Sequence, residues 1–219
     1  MRFDERFLVL YAVTDRKWLR AKSLPEDVEE AVKAGVTMVQ LREKDIDFES
    51  FLSLAKELKK ITDKHNVPLI INDNVEIALL SGADGVHVGQ GDIDACEARA
   101  MIGDEKILGV SVRNVQQAIA AEKDGADYIG VGAVFPTSTK SDAGTLTQTI
   151  LKEICSSVLI PAVAIGGISM ENAHCLSGSG IKGIAAVSSI FAQDDIRSAA
   201  SGLRVIADKV VAYKQSGEN

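Results

Sequence analysis

The feature that most constrains the fold is a regular alternation of short apolar, β-rich runs with longer helical patterns. The sequence predicts eight strands: Phe7–Val13, Met38–Leu41, Leu69–Asn72, Gly85–Val88, Ile107–Val112, Tyr128–Gly132, Ala162–Ile165 and Ile184–Val187. It predicts eight helices between and after them: Pro25–Ala34, Phe48–Lys64, Val75–Ser81, Ala95–Ile102, Val115–Asp124, Thr147–Cys155, Met170–Leu176 and Ile196–Tyr213. Strict alternation implies parallel strands joined by right-handed crossovers. Eight such units close most naturally into a barrel, so we predict an α/β fold, a (β/α)8 TIM barrel, over the competing doubly wound open sheet.

The 219 residues suit one domain of this barrel, at the short end of its usual size range. We therefore expect a single domain over 1–219 with a frayed polar tail at 214–219. Three helices are predicted to end beside glycines, Gly35, Gly82 and Gly125, which accept a left-handed backbone conformation at little cost.

Composition and charge exclude several classes of protein. A net charge of -7 disfavours a broad nucleic-acid surface. The three cysteines form no CxxC pair, which argues against a disulfide framework or a cysteine–zinc site and favours the cytoplasm. The charged N-terminus does not resemble a signal peptide, and no apolar run approaches the length of about 18 residues that a membrane span requires. We expect small-molecule substrates as partners and allow for a homo-oligomer.

In a parallel barrel the reactive site lies at the C-terminal ends of the strands. Along the second strand Met38, Gln40 and Arg42 share one face, so that face changes from apolar to polar as the strand ends. Arg42 offers a planar fork that suits phosphate oxygens, and Lys44 offers a point charge. A solvated charge run with an Arg–Glu pair is the alternative interpretation.

Two carboxylates follow neighbouring strands. Asp73 comes after the third strand and Asp92 after the fourth, so they are expected to lie close together. Like charges at short range need a cation between them, and a pair of carboxylates with a phosphate ligand suits Mg²⁺. The alternative is that each residue caps the helix that follows it.

Loops after other strands offer further ligands for an anion. The sixth strand leads into Pro136 and then the hydroxyl-rich run Thr137-Ser138-Thr139-Lys140, which could bind a phosphorylated ligand or form an ordinary polar turn. The seventh strand ends in Gly166-Gly167 and the eighth in Ser188-Ser189, at positions where such barrels often bind phosphate. Ser111 follows the fifth strand without an identifiable base, so we expect it to bind a ligand and not to act as a nucleophile.

The three histidines do not form a zinc pattern. None lies near another in sequence, and His65 and His174 fall in helical or helix-flanking stretches. His87 lies inside an apolar run and is expected to be a hydrogen-bonded structural residue.

The residues above resemble the motifs of the thiamine phosphate synthase family. The resemblance covers about 8 to 210, and the motifs occur in order: Tyr11-Ala12-Val13-Thr14-Asp15, Gln40-Leu41-Arg42-Glu43-Lys44, Asn72-Asp73, His87-Val88-Gly89-Gln90-Gly91-Asp92, Pro136-Thr137-Ser138-Thr139-Lys140 and Ala164-Ile165-Gly166-Gly167-Ile168. The segment from Gln40 to Lys44 and the threonine-rich loop are specific, whereas the glycine pair is common to many phosphate-binding barrels.

The resemblance implies coupling of an aminopyrimidine diphosphate with a thiazole phosphate, with release of pyrophosphate. It implies that the pyrimidine diphosphate is bound by Gln40, Leu41, Arg42, Glu43, Lys44, Asn72, Ser111 and Lys140. It implies that the thiazole phosphate is bound by Thr137, Ser138, Thr139, Gly167, Val187 and Ser188. One Mg²⁺ per subunit would be bound by Asp73 and Asp92, and the catalytic groups would be Lys140, Arg42, Lys44 and Ser111.

Two departures from the family's pattern touch no proposed ligand: Ser141 before Asp142, and Ile181-Lys182-Gly183. Two other functions remain open at this stage. One is a thiazole tautomerase, which would need an acid–base group and no metal pair. The other is a non-catalytic phosphate-binding barrel.

Overall fold

The computed structural model describes residues 2–18, 23–137 and 145–213. Within them eight parallel strands form a closed barrel in which each strand pairs with its neighbours in sequence and β8 pairs with β1. The strands are β1 (Leu10–Val13), β2 (Met38–Leu41), β3 (Leu69–Asn72), β4 (Gly85–Val88), β5 (Ile107–Val112), β6 (Tyr128–Gly132), β7 (Ala162–Ile165) and β8 (Gly183–Ala186). The predicted (β/α)8 barrel is confirmed.

The helices surround the barrel. They are α1 (Leu24–Lys33), α2 (Phe48–Lys64), α3 (Val75–Ser81), α4 (Ala95–Ile102), α5 (Val115–Lys123), α6 (Gln148–Ser156), α7 (Ser188–Phe191) and α8 (Ile196–Ala212), with 3-10 turns at Glu5–Leu8, Arg16–Trp18 and Ala173–Leu176. The described part of the chain contains no helix with both the length and the apolarity needed to cross a bilayer.

The period of two in the strands separates two apolar cores. Val39 and Leu41 face outward into the layer between strands and helices, whereas Met38 faces inward with Tyr11 and Tyr128. Gln40 lies on the inward face and Arg42 follows in register, so the predicted change from apolar to polar along this face is confirmed. The barrel interior is therefore filled at its base and polar at its C-terminal mouth.

Three of the predicted elements needed correction. The first strand begins at Leu10 and not at Phe7, because Asp4 accepts a hydrogen bond from the amide of Arg6 and starts a 3-10 turn that closes the base of the barrel. The predicted helix Met170–Leu176 is only the 3-10 turn Ala173–Leu176. The side chain of Asn172 accepts from the amide of Ser169 and donates to the carbonyl of Gly167, and so it competes with helix formation there.

The third correction is a helix that the sequence analysis missed. The predicted strand Ile184–Val187 is shifted by one residue, and the chain turns at Val187 directly into the short helix α7. The glycines predicted to follow helices are confirmed, and Gly82, for example, ends α3 with a φ of 74°.

Candidate active site

A cavity of about 290 Å³ opens at the C-terminal mouth of the barrel. Eight of the predicted site residues line it: Gln40, Arg42, Asn72, Ser111, Thr137, Gly167, Val187 and Ser188. They come from six different strands or the loops after them, so only barrel closure brings them together. Ser138, Thr139 and Lys140 lie outside the described residues.

The residues at the end of β2 divide between the two sides of the strand. Arg42 is anchored through its backbone amide to Thr14 Oγ1 at 3.0 Å and through Nη1 to Asp15 Oδ2 at 3.5 Å. Leu41 is fully buried in the outer core. Arg42 is thus the residue of this pair that reaches the cavity.

Glu43 is turned away from the cavity. Its Oε2 accepts a hydrogen bond of 2.8 Å from Arg16 Nε, and its Oε1 is buried with no hydrogen-bond partner among the described residues. The alternative of a solvated Arg–Glu pair within this run is wrong, because Arg42 pairs with Asp15 and the buried Glu43 pairs with Arg16. Neither Leu41 nor Glu43 places its side chain against the cavity. The structure therefore does not support the prediction that these side chains bind the pyrimidine diphosphate.

The two predicted carboxylates meet at the rim, where Asp73 and Asp92 lie close enough for each to shift the pKa of the other. Lys44 Nζ binds Asp73 Oδ2 at 2.7 Å, and the amide of Gly89 donates to Asp92 Oδ2 at 2.8 Å. Asp73 has a φ of 63°, a strained conformation for a residue with a side chain, and its amide is held by His87 O at 2.8 Å.

The interpretation of both aspartates as helix caps is wrong. Asn74 caps α3 by accepting from the amide of Ile77, and Asp94 caps α4 by accepting from the amide of Cys96. The carboxylates of Asp73 and Asp92 are therefore not used to satisfy helix ends.

The two carboxylates shift each other's pKa in opposite directions. Burial opposes the charge of Asp73, but hydrogen bonds from Lys44 and Asp92 outweigh it and lower the pKa of Asp73. Burial and the hydrogen bond with Asp73 raise the pKa of Asp92. No cluster of three or more acidic, histidine or cysteine side chains suited to a metal occurs among the described residues. The donor set fits Mg²⁺, which commonly binds one or two carboxylates and completes its shell with substrate oxygens and water.

A line of hydrogen bonds runs beneath the cavity. Gln40 Nε2 donates to Tyr11 Oη at 2.7 Å, and the hydroxyls of Tyr11 and Tyr128 are 2.9 Å apart. His87 joins Tyr128 Oη through Nδ1 at 3.0 Å and Ser111 Oγ through Nε2 at 2.8 Å. The prediction that His87 is hydrogen-bonded is confirmed, although its side chain also lines the cavity.

Sequence reasoning assigned no role to Tyr11, Tyr128 or Gln90. Burial raises the pKa of both tyrosines above the ordinary value, so both are neutral at physiological pH. Gln90 donates to the carbonyl of Ser111 at 2.9 Å and so connects β4 to β5 at the rim. Strand alternation places both tyrosines on the inward face, but nothing in the sequence shows that their hydroxyls meet.

The loops after β6 and β7 form another part of the cavity mouth, and glycine backbone geometry brings them together. Gly166 and Gly167 have φ values of 103° and 64°, and a Cβ on Gly167 would lie 2.3 Å from the carbonyl oxygen of Pro136. Only glycine permits this close approach between the loop after β7 and the loop after β6. The approach brings the amide-rich Gly167 region beside Thr137 and Ser188 in the cavity wall.

Comparison with known proteins agrees with this geometry. The family model for thiamine monophosphate synthase matches residues 10–190. The chain belongs to this family. The thiamine-phosphate synthase of Ruminiclostridium cellulolyticum is 55% identical over 194 residues, which cover 89% of this chain and 92% of that protein. The thiamine-phosphate synthase of Methanobrevibacter smithii is 52% identical over 196 residues, which cover 90% of this chain and 93% of its own length.

Among solved structures, the thiamine phosphate pyrophosphorylase of Pyrococcus furiosus superposes with a TM-score of 0.88 and 37% identity, over 95% of this chain and 99% of that one. The predicted family membership is thus confirmed in sequence and in structure. The superposition covers nearly all of both chains, so the two proteins share the same fold.

Proposed function

We propose that this chain is a Mg²⁺-dependent thiamine phosphate synthase organised as a single barrel domain. It couples 4-amino-2-methyl-5-(diphosphooxymethyl)pyrimidine with 4-methyl-5-(2-phosphoethyl)thiazole and yields thiamine phosphate and pyrophosphate. One observation carries the proposal. The two carboxylates Asp73 and Asp92 meet at the rim, beside Lys44 and next to a cavity that Arg42 lines.

In the proposed reaction the C–O bond between the pyrimidine methylene and the diphosphate breaks, and its electron pair leaves with the diphosphate. The electron-rich aminopyrimidine stabilises the resulting methylene cation. The lone pair of the thiazole nitrogen then forms the new C–N bond. No proton moves, so the reaction needs neither a nucleophile of the protein nor a general base.

The chain's contribution is therefore to orient the substrates and to stabilise the leaving group. Arg42 lines the cavity, with its backbone held by Thr14 and its guanidinium contacted by Asp15, which orients the guanidinium for the diphosphate. Lys44 and Lys140 add positive charge to the same group. Bound Mg²⁺ would add charge stabilisation of the leaving diphosphate, with Asp73 and Asp92 as its protein ligands.

The two substrates would occupy different parts of the mouth. Gln40, Asn72 and Ser111 come from β2, β3 and β5 and are assigned to the pyrimidine side. Thr137 and Ser138-Thr139, with Gly167, Val187 and Ser188, are assigned to the thiazole phosphate. Leu41 and Glu43 would then hold the strand in place from its outer side and would not contact the ligand.

The test mixes both substrates with and without Mg²⁺ and measures pyrophosphate and thiamine phosphate together. We expect equal amounts of both products with Mg²⁺ and almost none after chelation. Asp73→Asn and Asp92→Asn should each raise the Mg²⁺ concentration needed for half-maximal rate. Asp104→Asn is the matched control, because this exposed carboxylate lies before β5 at the opposite end of the barrel.

Two results would contradict the proposal. Ligand binding without pyrophosphate release would identify a non-catalytic phosphate-binding barrel. Interconversion of thiazole tautomers in the absence of the pyrimidine substrate would identify a tautomerase.

A further inference from the structure

The hydrogen bonds beneath the cavity form one unbroken chain of five side chains, Gln40, Tyr11, Tyr128, His87 and Ser111. Its two ends, Gln40 and Ser111, line the cavity from β2 and β5. Its middle is buried, since Tyr11 is 1% exposed and Tyr128 is fully buried, although Tyr11 and His87 also border the cavity. Buried polar groups are nearly always hydrogen-bonded, and these hydrogen bonds satisfy each member through its neighbours.

The donor at one end fixes the direction of every bond. Gln40 Nε2 can only donate, so the oxygen of Tyr11 accepts and its O–H must donate to Tyr128. Among the residues that the structure describes, Tyr128 then has His87 Nδ1 as the acceptor for its O–H. An accepting Nδ1 puts the proton of the neutral imidazole on Nε2, which donates to Ser111 Oγ.

A charged His87 does not fit this arrangement. Both ring nitrogens would donate, and the O–H of either Tyr11 or Tyr128 would then have no acceptor in a buried site. Such a loss costs the full desolvation of the hydroxyl. The hydrogen-bond chain therefore requires a neutral His87 side chain.

We propose that Tyr11 and Tyr128 are positioning residues that set selectivity for an amino-pyrimidine over an oxo-pyrimidine. The inference rests on the proposed function. With Nε2 engaged by Tyr11, the oxygen of the Gln40 amide is the group presented to the cavity, and Ser111 presents its O–H. An exocyclic amino group can donate to the Gln40 oxygen, whereas an oxo group would set two acceptors against each other.

Binding of an oxo-pyrimidine would need a concerted reversal. The Gln40 amide would have to turn over, both tyrosine hydroxyls would have to rotate, and His87 would have to change tautomer. Tyr11→Phe removes the acceptor that holds the Gln40 amide, so the amide can turn alone. Tyr128→Phe breaks the chain in its middle and releases His87 from its tautomer.

The first experiment measures kcat/KM with the 4-amino pyrimidine diphosphate and with its 4-oxo analogue. We expect wild type to favour the amino substrate, and we expect the ratio to fall roughly tenfold or more in Tyr11→Phe and Tyr128→Phe. Tyr213→Phe is the matched control, because this third tyrosine is exposed at the end of α8. If Tyr11→Phe and Tyr128→Phe each lose activity equally with the two substrates, the tyrosines only support the structure and the proposal is overturned.

The second experiment needs no turnover. Nitrogen NMR of ¹⁵N-histidine-labelled protein reports the tautomer of His87, with its signals assigned by comparison with His65→Gln and His174→Gln. We expect a protonated Nε2 and an unprotonated Nδ1 in wild type, and loss of this preference in Tyr128→Phe. The opposite tautomer, or a charged ring at neutral pH, overturns the proposal.

The two experiments separate the possible failures. A protein with the expected His87 tautomer but no coupling activity would contradict the proposed function and leave the direction of the chain intact. Thermal unfolding of each variant shows whether it folds. If Tyr11→Phe does not fold, Tyr128→Phe and the wild-type tautomer decide the question.

Discussion

Gly109 provides a direct test of how tightly the buried hydrogen-bond chain is packed. A Cβ at this position would lie 2.3 Å from Tyr128 Oη and 2.4 Å from His87 Nδ1, between the two atoms that are joined by a 3.0 Å hydrogen bond. Ordinary contact is about 3.5 Å or more, so each atom would have to move by about 1 Å. A bond of 3.0 Å does not survive that displacement.

The cost of Gly109→Ala follows from three contributions. Overpacking of a dense core costs about 1–3 kcal/mol. A buried hydroxyl or ring nitrogen left without its partner costs about 1–3 kcal/mol more. Alanine has less conformational freedom than glycine in the unfolded chain, which offsets about 0.4–1 kcal/mol of this loss in stability. We expect a net loss in the free energy of unfolding of about 3 kcal/mol, within a range of about 1–6.

Two other glycines complete a graded series. A Cβ on Gly130 would lie 3.1 Å from His87 Cε1, which requires a shift of only a few tenths of an ångström, whereas a Cβ on Gly91 would meet no atom within 4 Å. We expect Gly130→Ala to cost about 1 kcal/mol or less and Gly91→Ala to be neutral or slightly stabilising.

Urea unfolding measures the series, with the slope checked for each variant so that differences reflect the folded state. The His87 nitrogen spectrum shows in parallel whether the bond to Tyr128 has been lost. If Gly109→Ala unfolds within about 0.5 kcal/mol of Gly91→Ala, the interior is looser than these distances state and the reasoning is refuted.

Three further predictions concern separate parts of the molecule. Lys140→Ala should slow single-turnover coupling by roughly two orders of magnitude, as expected for loss of an electrostatic stabiliser, and an unchanged rate would exclude that role. Hydrogen bonds from Lys64 and two further basic neighbours lower the pKa of Glu29 from 4.5 to about 2. The stability that this contact adds is thus present above about pH 4.5 and lost as the pH falls toward 2. Urea midpoints of wild type and Glu29→Gln should converge over that interval, and a constant difference would argue against the contact. Burial raises the pKa of Cys155 to about 11 while the other two cysteines are exposed, so a thiol reagent at neutral pH should modify two cysteines quickly and the third slowly. Cys155→Ser should keep both fast reactions, and the loss of one would reverse the assignment.

The sequence alone was sufficient to predict most of the fold, because the local pattern of apolar and polar residues identifies most helices and strands. The 3.6-residue period of α2 and the apolar runs of β2 to β7 predicted those elements at the bounds observed. The sequence was less informative where a side chain competes for the hydrogen bonds of the backbone. The side chain of Asn172 replaces helix bonds after β7, and a short helix begins directly at the end of β8.

The sequence also showed which carboxylates lie at the ends of β3 and β4, since parallel strands bring their C-terminal ends to one edge. It could not decide whether Asp73 and Asp92 cap helices or face each other. That depended on the neighbours Asn74 and Asp94 taking the caps and on Lys44 reaching Asp73 across the rim.

What only the tertiary structure decided is which distant side chains touch inside the closed barrel. Tyr11 and Tyr128 are 117 residues apart, and the pattern of apolar and polar positions shows only that both face inward. Barrel closure places β1 and β6, which are not paired with each other, on facing parts of the same ring, and the two hydroxyls then lie 2.9 Å apart. Local pattern determines which face a residue occupies, whereas contact across a barrel depends on the whole ring of strands closing at once.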